Sequence, residues 1–298
     1  MSVTESGTSQ HLERFDTVHY DSQAIEEYYL HSQFDYRLLW NQDESHSLHF
    51  GFWSDETRNL SEALENENRV LADLAQIQPG DVVLDAGCGV GGSSIFLAQN
   101  FGCQVHGVSL CSHQLTRAQE VARKYNVENQ VHFSRADFHD LDFSDSFFSV
   151  IWCIESFCHS WNKPRFLEEA FRLLRPGGVL IIADGFLGSR MQRPSERRLM
   201  RSWLDGWAVP ELLSQTQIGA LASDAGFRDS SFEDYTEKIR KSSERLYRYS
   251  TILSPAARFA SFLGLRRKIL NGNLRAARDQ YLALRADLWQ YGVFRAWK

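Results

Sequence analysis

A glycine-rich segment behind a short apolar run has the clearest chemical meaning in this sequence. Asp85 is followed by Gly87, Gly89, Gly91 and Gly92, and the segment before it reads Val-Val-Leu. Glycine permits a tight turn and lets a ligand approach the backbone closely. The pattern therefore predicts a ligand-binding loop between a strand and a helix.

Two classes of ligand use such loops. Gly87, Gly89 and Gly92 satisfy the GxGxxG spacing of dinucleotide sites, in which an acid about 20 residues further on binds a ribose. Here the second apolar run ends at Ser109 instead of an acid. Asp85 also suits a ligand with positive charge better than a pyrophosphate. A nicotinamide cofactor is thus disfavoured, although the loop alone leaves it open.

The elements that must position this loop alternate along the chain. Strand-like runs alternate with helical patterns from about residue 79 to residue 186, and a helix predicted over residues 60–77 ends at Pro79 and Gly80. Such alternation predicts an α/β fold with a doubly wound, Rossmann-like sheet. We expect seven mostly parallel strands, with N-terminal helices and a helical lid inserted in the C-terminal part.

The Asp-x-Gly-x-Gly-x-Gly order of Asp85, Gly87, Gly89 and Gly91 resembles the class I S-adenosylmethionine-dependent methyltransferases. The likeness extends over roughly residues 49–185. It implies S-adenosylmethionine as cofactor and S-adenosylhomocysteine as product. It also implies that the glycine loop, with Cys88, lies against the methionine and ribose of the cofactor.

The same resemblance assigns two further parts of the cofactor site. Ser109, Leu110 and Gln114 stand at the end of the second strand, where the family holds the ribose. Many members have an acid in place of Ser109. Asp137 would accept a hydrogen bond from the adenine amine, with Phe138 beside it. The alternative for Asp137 is a turn or helix-cap aspartate.

Two segments resemble the branch that contains sterol, tocopherol and bacterial natural-product methyltransferases. One is Ile154-Glu155-Ser156 with His159, and the other is His49-Phe50-Gly51 with Phe52 and Trp53. The resemblance implies that His49, Phe50 and Gly51 cover the methionine end of the cofactor and that Ile154 contacts it. An aromatic core cluster is the alternative for the second segment.

Candidate catalytic residues stand at neighbouring strand ends. His159 follows the fourth strand and Asp184 ends the fifth, so the two could form a general base that removes a proton as the acceptor is methylated. Glu155 could contact the cationic end of the cofactor or balance a substrate cation. A solvated His159 and a hydrogen-bonded Asp184 are the alternatives.

The C-terminal third differs in composition. From Phe186 onward it holds 20 basic and 11 acidic residues, with Trp203 and Trp207 in its first helical segment. Its aromatic side chains could face a carbocation in an apolar pocket or form ordinary lid core. Its basic residues are typical of a solvated face, with a phosphate or carboxylate site as the alternative.

The expected organisation has five parts. These are a mobile N-terminus (1–20), N-terminal helices over the cofactor (21–78), a cofactor-binding core (79–186), a substrate lid with a short helix and an edge strand of the core (187–288), and a closing strand (289–298). The lid is expected to be helical, basic and aromatic. A homo-oligomer through the N-terminal helices or the lid stays open.

Composition excludes several other classes of protein. The 298 residues carry a formal net charge of −6, which disfavours a nucleic-acid partner. No apolar run is long enough to span a bilayer and no leader pattern is present, so we expect a cytoplasmic protein. The five cysteines lack zinc-site spacing and are expected to be reduced, with no metal bound.

These observations predict a methyltransferase for a small lipophilic or aromatic acceptor, such as an isoprenoid. Transfer to carbon with proton removal assisted by His159, Asp184 or Glu155 is the first hypothesis. Transfer to oxygen or nitrogen in natural-product biosynthesis is the second. A protein that binds the cofactor without methylating, such as a cyclase, is the third.

Overall fold

The computed structural model describes residues 46–190, 193–262 and 269–298. Seven strands form one sheet in the order β3-β2-β1-β4-β5-β7-β6, and β7 runs antiparallel to both of its neighbours. The strands are β1 Val82–Ala86, β2 Gln104–Ser109, β3 Val131–Arg135, β4 Phe148–Ile154, β5 Leu174–Leu187, β6 Arg228–Asp234 and β7 Trp289–Trp297.

Helices cover both faces of this sheet. They are α1 Leu60–Leu74, α2 Gly92–Phe101, α3 Ser112–Lys124, α4 Lys163–Leu173, α5 Pro194–Gly206, α6 Gln215–Asp224, α7 Thr236–Phe262 and α8 Ile269–Arg285, with a 3₁₀ turn at Phe157–His159. The predicted α/β fold with a mostly parallel seven-stranded sheet is confirmed.

The central strand β4 shows why the sequence folds in this way. All but the last of its residues are buried. Val150 and Trp152 pack into the apolar core on one face of the sheet, whereas Ile151 and Cys153 pack into the core on the other. Successive side chains of a strand point to opposite faces, so a strand covered on both sides must be apolar throughout.

The C-terminal helices pack closely on one another. Gly206, at the end of α5, lies so near α8 that an added Cβ would come within 2.6 Å of the Ala276 Cβ and 2.8 Å of the Gly272 carbonyl oxygen. The chain then returns through β7, which inserts between β5 and β6. The C-terminal strand β7 is thus an interior strand of the sheet, and its side chains lie between those of β5 and β6.

Element boundaries differ from the sequence prediction in three places. The helix predicted over 60–77 ends at Leu74, because Gln76 adopts a left-handed conformation with φ +53°. The predicted turn at residues 175–178 is contained in the long strand β5. The helical region predicted from 238 to 288 consists of α7 and α8.

The expectations for residues 1–20 and for helices before residue 46 lie outside the described residues. Within the described ranges, no helix combines the length and apolar character that crossing a bilayer requires. The five cysteines are all buried and free of disulfide bonds.

Candidate active site

A cavity of about 1010 Å³ opens at the carboxyl ends of β1, β2 and β4. Open α/β sheets bind their ligands at this edge. The cavity wall includes most of the residues that the sequence assigned to the cofactor: His49, Asp85, Gly87, Cys88, Gly89, Ser109, Leu110, Gln114, Asp137, Phe138 and Ile154. The structure therefore brings these separate segments together around one space.

The glycine loop is held against β2 by its backbone. The amides of Gly87 and Cys88 both donate to the Val108 carbonyl oxygen at 3.0 Å. Gly87 has φ +98°, and an added Cβ would lie 2.3 Å from the Cβ of Ser156. Gly89 has φ +54° but no atom within 4 Å of an added Cβ. A side chain at position 87 would thus clash with the protein itself, whereas the space beside Gly89 is open to a ligand.

Asp85 is a buried carboxylate at the base of the cavity. The Ser94 hydroxyl donates to its Oδ2 atom at 2.5 Å. Burial raises the pKa of Asp85 to about 6. A bound ligand with positive charge would favour the ionised form again.

The end of β2 is organised around Ser109. Its hydroxyl donates to Gln114 Oε1 at 3.2 Å, and the Cys111 amide donates to the same hydroxyl at 3.2 Å. Gln114 is buried on α3 and lines the cavity. The pair presents hydroxyl and amide groups, in place of a carboxylate, where the family holds the ribose.

Asp137 belongs to a chain of hydrogen bonds that the sequence analysis missed. Its Oδ1 atom lies 2.5 Å from His139 Nδ1 and also accepts the His139 backbone amide at 3.0 Å. His139 Nε2 lies 2.8 Å from the Ser160 hydroxyl. These bonds fix the Asp137 carboxylate at the cavity wall. A histidine two residues after a strand-end aspartate was a signal that could have been noticed.

A second cavity of about 610 Å³ adjoins the first and shares Leu48, Glu155 and His159 with it. Five aromatic rings stand in its wall, those of Phe50, Trp203, Trp207, Trp289 and Tyr291. Asp184 and Cys158 also line it, and within the described ranges no lysine or arginine does. The second cavity is therefore apolar and aromatic, with carboxyl groups as its charged members.

His159 and Asp184 both face this second cavity but are held separately. His159 Nδ1 donates to the Ala208 carbonyl oxygen at 3.2 Å, and burial lowers the pKa of His159 to about 4. Asp184 accepts the amides of Cys158 and Gly185 at 2.8 and 2.7 Å, and burial raises its pKa to about 6. These hydrogen bonds tie both side chains to the backbone, and the joint action of His159 and Asp184 as a general base stays a prediction.

Glu155 stands where the two cavities meet and belongs to a buried network. Its Oε1 atom accepts the Phe50 amide at 2.7 Å and lies 3.1 Å from the Tyr291 hydroxyl. The same hydroxyl donates to Glu67 Oε1 at 2.7 Å, and Glu67 Oε2 lies 2.5 Å from His49 Nδ1. Burial and the nearby Glu67 charge raise the pKa of Glu155 well above its usual range.

Glu67 and Tyr291 were not among the predicted site residues. Glu67 is fully buried on α1, in line with Ala63 and Leu71. An acid inside the apolar stripe of a helix is the one sequence signal that pointed to it. Tyr291 gave no signal of this kind, since a tyrosine in a strand is ordinary.

Three residues predicted to contact the cofactor lie elsewhere. Phe50 lines the second cavity. The Gly51 amide donates to Glu67 Oε2 at 2.9 Å, and Gly51 is absent from both cavity walls. Gly91 caps α2 with φ +85° and packs behind the loop against Phe133. Phe50 and Gly51 therefore support the site from outside the first cavity.

Several basic residues of the lid form ion pairs with nearby acids. Arg190 and Arg193 pair with Glu196, and Arg201 pairs with Asp205. Two further pairs, Arg240 with Glu237 and Arg248 with Glu244, lie on α7. These arginines line neither of the two site cavities.

Comparison with known proteins agrees with this geometry. A family model described as a methyltransferase domain matches residues 83–178. The 27-O-demethylrifamycin SV methyltransferase of Amycolatopsis mediterranei is 33% identical over 204 residues, which cover 68% of this chain and 73% of that protein. The chain belongs to the S-adenosylmethionine-dependent methyltransferases.

Other members of this methyltransferase family act on different acceptors. The sarcosine/dimethylglycine N-methyltransferase of Halorhodospira halochloris is 29% identical, over 77% of this chain and 82% of that protein. The sterol 24-C-methyltransferase of Saccharomyces cerevisiae is 29% identical, over 64% of this chain and 50% of that protein. The cofactor of this methyltransferase is S-adenosylmethionine, and its substrates are small molecules.

A solved structure supports the fold. The (4+2)-cyclase SpnF superposes with a TM-score of 0.78 at 21% identity, covering 94% of this chain and 97% of that one. At this identity the likeness concerns the architecture alone.

Proposed function

We propose that this enzyme transfers a methyl group to carbon in a neutral, apolar acceptor that contains an alkene or an electron-rich ring. The second cavity carries the proposal, because five aromatic rings surround it and no lysine or arginine of the described residues lines it. An acceptor with a phosphate or carboxylate beside the reacting carbon would find no cationic partner in that wall. Aromatic faces also attract the positive charge that develops when an alkene accepts a methyl cation equivalent.

The residues of the first cavity fit the cofactor. Asp85 is a buried carboxylate, Gly89 leaves open space, and both lie in the wall of one cavity at the carboxyl ends of the parallel strands. We assign Ser109 and Gln114 to the ribose, Asp137 to the adenine amine, and the glycine loop to the methionine part. S-adenosylmethionine supplies an electrophilic methyl group on its sulfonium.

Positioning is the main contribution of the protein to such a transfer. Leu48, Glu155 and His159 line both cavities, so the methyl group must cross between the cavities beside them. Two of these three side chains can accept a proton. The junction therefore combines the path of the methyl group with the removal of a proton.

His159 is the proposed base. Its Nδ1 atom donates to Ala208, which leaves Nε2 as the basic nitrogen, and its pKa near 4 keeps the ring neutral at physiological pH. A weak base is sufficient, because a carbon next to a carbocation is a strong acid. Asp184 contributes negative charge to the same cavity and thereby favours a cationic intermediate of the acceptor.

Transfer to nitrogen is the second candidate. Rings and carboxyl groups around one cavity also suit an ammonium group, and the sarcosine/dimethylglycine N-methyltransferase aligns over most of its length. The third candidate is cyclisation without methyl transfer. The cyclase SpnF has the same fold as this chain.

A labelled-methyl experiment distinguishes the three candidates. The enzyme is incubated with methyl-labelled S-adenosylmethionine and separate panels of polyprenyl alkenes, phenols and tertiary amines, and products are analysed by mass spectrometry and carbon NMR. A new carbon–methyl bond on an alkene or aryl carbon is the expected result. Label found solely on oxygen or nitrogen would refute the proposal. Conversion of a polyene without label would support the cyclase.

A further inference from the structure

A buried chain of hydrogen bonds connects the two cavities behind Glu155. From the first cavity it runs through His49, Glu67 and Tyr291 to Glu155, with heavy-atom separations of 2.5, 2.7 and 3.1 Å. Glu67 and Tyr291 have no exposed surface, and His49 is 5% exposed. His49 Nε2 is buried on the wall of the first cavity.

Two carboxyl groups in this chain share one bridging hydroxyl. Tyr291 has a single hydroxyl proton, so it donates to Glu67 or to Glu155 but not to both. Within the described ranges, no lysine or arginine lines the cavities on either side of Glu155. A second negative charge on Glu155 would therefore be costly, and burial together with Glu67 raises its pKa well above the usual range. The proximity of the two carboxyl groups thus favours the protonated form of Glu155.

The cofactor brings a positive charge to this place. The methyl group must pass between the cavities beside Leu48, Glu155 and His159, so the sulfonium that carries it has to lie close to Glu155. A nearby positive charge favours the ionised form of a carboxyl group. S-adenosylhomocysteine has the same other groups but a neutral sulfur, and so lacks this effect.

We propose that Glu155 is protonated in the free enzyme, loses this proton to solvent when the sulfonium binds, and receives the acceptor's proton after methyl transfer. Glu67 is then a positioning residue whose charge holds the proton on Glu155 in the resting state, whereas the hydrogen bond from Tyr291 lowers the pKa of Glu155 and so limits this effect. The first half of this proposal concerns cofactor binding alone, and the second half rests on the proposed C-methylation.

The proton balance of one turnover closes. The sulfur–methyl bond breaks with its electron pair on sulfur, the new bond forms from the acceptor's π electrons, and the resulting cation loses one proton. His159 accepts that proton as the base and passes it on to Glu155, because burial disfavours the charged form of His159 and favours the protonated form of Glu155. The proton that the overall reaction yields therefore leaves the enzyme at cofactor binding.

Other titratable groups surround the same junction and must be separated from Glu155. They come from the segment before α1, from α1, β1, β5, the 3₁₀ turn, α4 and β7: His49, Glu67, Asp85, Asp184, Cys158, His159, the buried Lys163 and Tyr291. Asp184 is the most useful comparison. It is also a buried carboxyl group with a pKa raised to about 6, but it is bonded to backbone amides and not to Tyr291.

Calorimetry in buffers of different ionisation enthalpy tests the proposal without an acceptor. S-adenosylmethionine and S-adenosylhomocysteine are titrated into the enzyme at about pH 7, and the slope of binding enthalpy against buffer enthalpy gives the protons exchanged. We expect S-adenosylmethionine to release about one proton more than S-adenosylhomocysteine. Equal proton numbers for the two ligands would overturn the proposal.

Variants identify the side chain that releases the proton. Glu155→Gln should abolish the difference between the two ligands, whereas Asp184→Asn should retain it. Glu67→Gln should shift the release to lower pH, with the exposed Glu65→Gln as matched control, because the Glu67 charge raises the pKa of Glu155. Tyr291→Phe should shift it to higher pH, because the hydrogen bond from the Tyr291 hydroxyl lowers the pKa of Glu155. A difference that persists in Glu155→Gln would refute the assignment. If the difference is found but no acceptor is methylated on carbon, the inference on cofactor binding stands and the proposed acceptor class falls.

Discussion

His159 and Glu155 occupy the same junction, yet burial acts on them in opposite directions. It lowers the pKa of His159 to about 4 and raises the pKa of Glu155 well above its usual range, so in both cases it favours the uncharged form of the side chain. The proton affinity at this junction therefore depends on the burial of each individual side chain.

Replacing the proposed base separates catalysis from cofactor binding. His159→Ala should lower turnover at least about tenfold, a threshold below the roughly 10²–10⁴-fold contribution typical of a general base, because methyl transfer itself depends on positioning. Affinity for S-adenosylmethionine should change little. The exposed His113→Ala is the control. Turnover at the wild-type level, measured by product mass spectrometry, would remove His159 from the mechanism.

The adenine assignment is tested at Asp137. Asp137→Ala should weaken S-adenosylmethionine binding about tenfold, since a hydrogen bond to a charged acceptor contributes about 1.5 kcal/mol or more. Asp140, three residues away, has a side chain that is 89% exposed, and Asp140→Ala should bind normally. Calorimetric titration compares the two variants. Equal affinities would place the adenine elsewhere.

Asp184 should make folding stability depend on pH. Its folded pKa of about 6 lies above the ordinary 3.8, so the folded state binds the proton more tightly than the unfolded state. This contribution is fully present below about pH 4 and is lost as pH rises through about 6.

Relative to Asp184→Asn, the wild type should thus lose about 2 kcal/mol in free energy of unfolding between about pH 4 and pH 7. Urea unfolding of both proteins across this range measures the difference. A difference that does not change with pH would contradict the burial effect.

Among the elements, the loop between β1 and α2 assigns different tasks to its glycines. Gly87 is closed in by Ser156, whereas Gly89 faces open space. Both have positive φ angles, of +98° and +54°. The same residue type therefore serves folding at one position and ligand access at the other.

Two alanine variants should separate these tasks. Gly87→Ala should destabilise the fold by more than about 2 kcal/mol, because its Cβ would overlap backbone-linked atoms in a φ region that alanine disfavours. Gly89→Ala should cost about 1 kcal/mol or less but weaken cofactor binding. Thermal unfolding and calorimetry give both quantities. Equal stability losses would contradict the distinction.

At the scale of the whole molecule, the second cavity is assembled from distant parts of the chain. Phe50 precedes α1, Trp203 lies on α5, and Trp289 begins β7. Trp203 and Trp289 have ring centroids 4.6 Å apart. The second cavity exists because the C-terminal helices fold back over the edge of the sheet.

Removing a large side chain from the wall of the second cavity should change acceptor selectivity without changing the affinity for the cofactor. Trp203→Ala should raise KM for a small acceptor at least about tenfold through lost apolar contact and should improve relative turnover of a bulkier one. Trp297→Ala, at the opposite end of β7, is the control. Competition between two labelled acceptors measures the ratio, and an unchanged ratio would exclude Trp203 from the pocket.

Local patterns determined much of this protein. The alternation of apolar runs and helices predicts the sheet, and Asp85 with its glycines predicts the cofactor loop, because strand, turn and helix preferences depend on near neighbours in the chain. Most of the residues that line the first cavity follow from the same local rule, since the carboxyl ends of parallel strands meet at one edge.

Tertiary structure alone decided the contacts between distant segments. Tyr291 meets Glu67 across 224 positions of sequence and Glu155 across 136. It also gave His159 and Asp184 separate backbone partners and placed Phe50 in the second cavity. Such contacts depend on how β7 and α1 pack against the sheet, and burial then sets the proton affinities. No spacing along the chain encodes either effect.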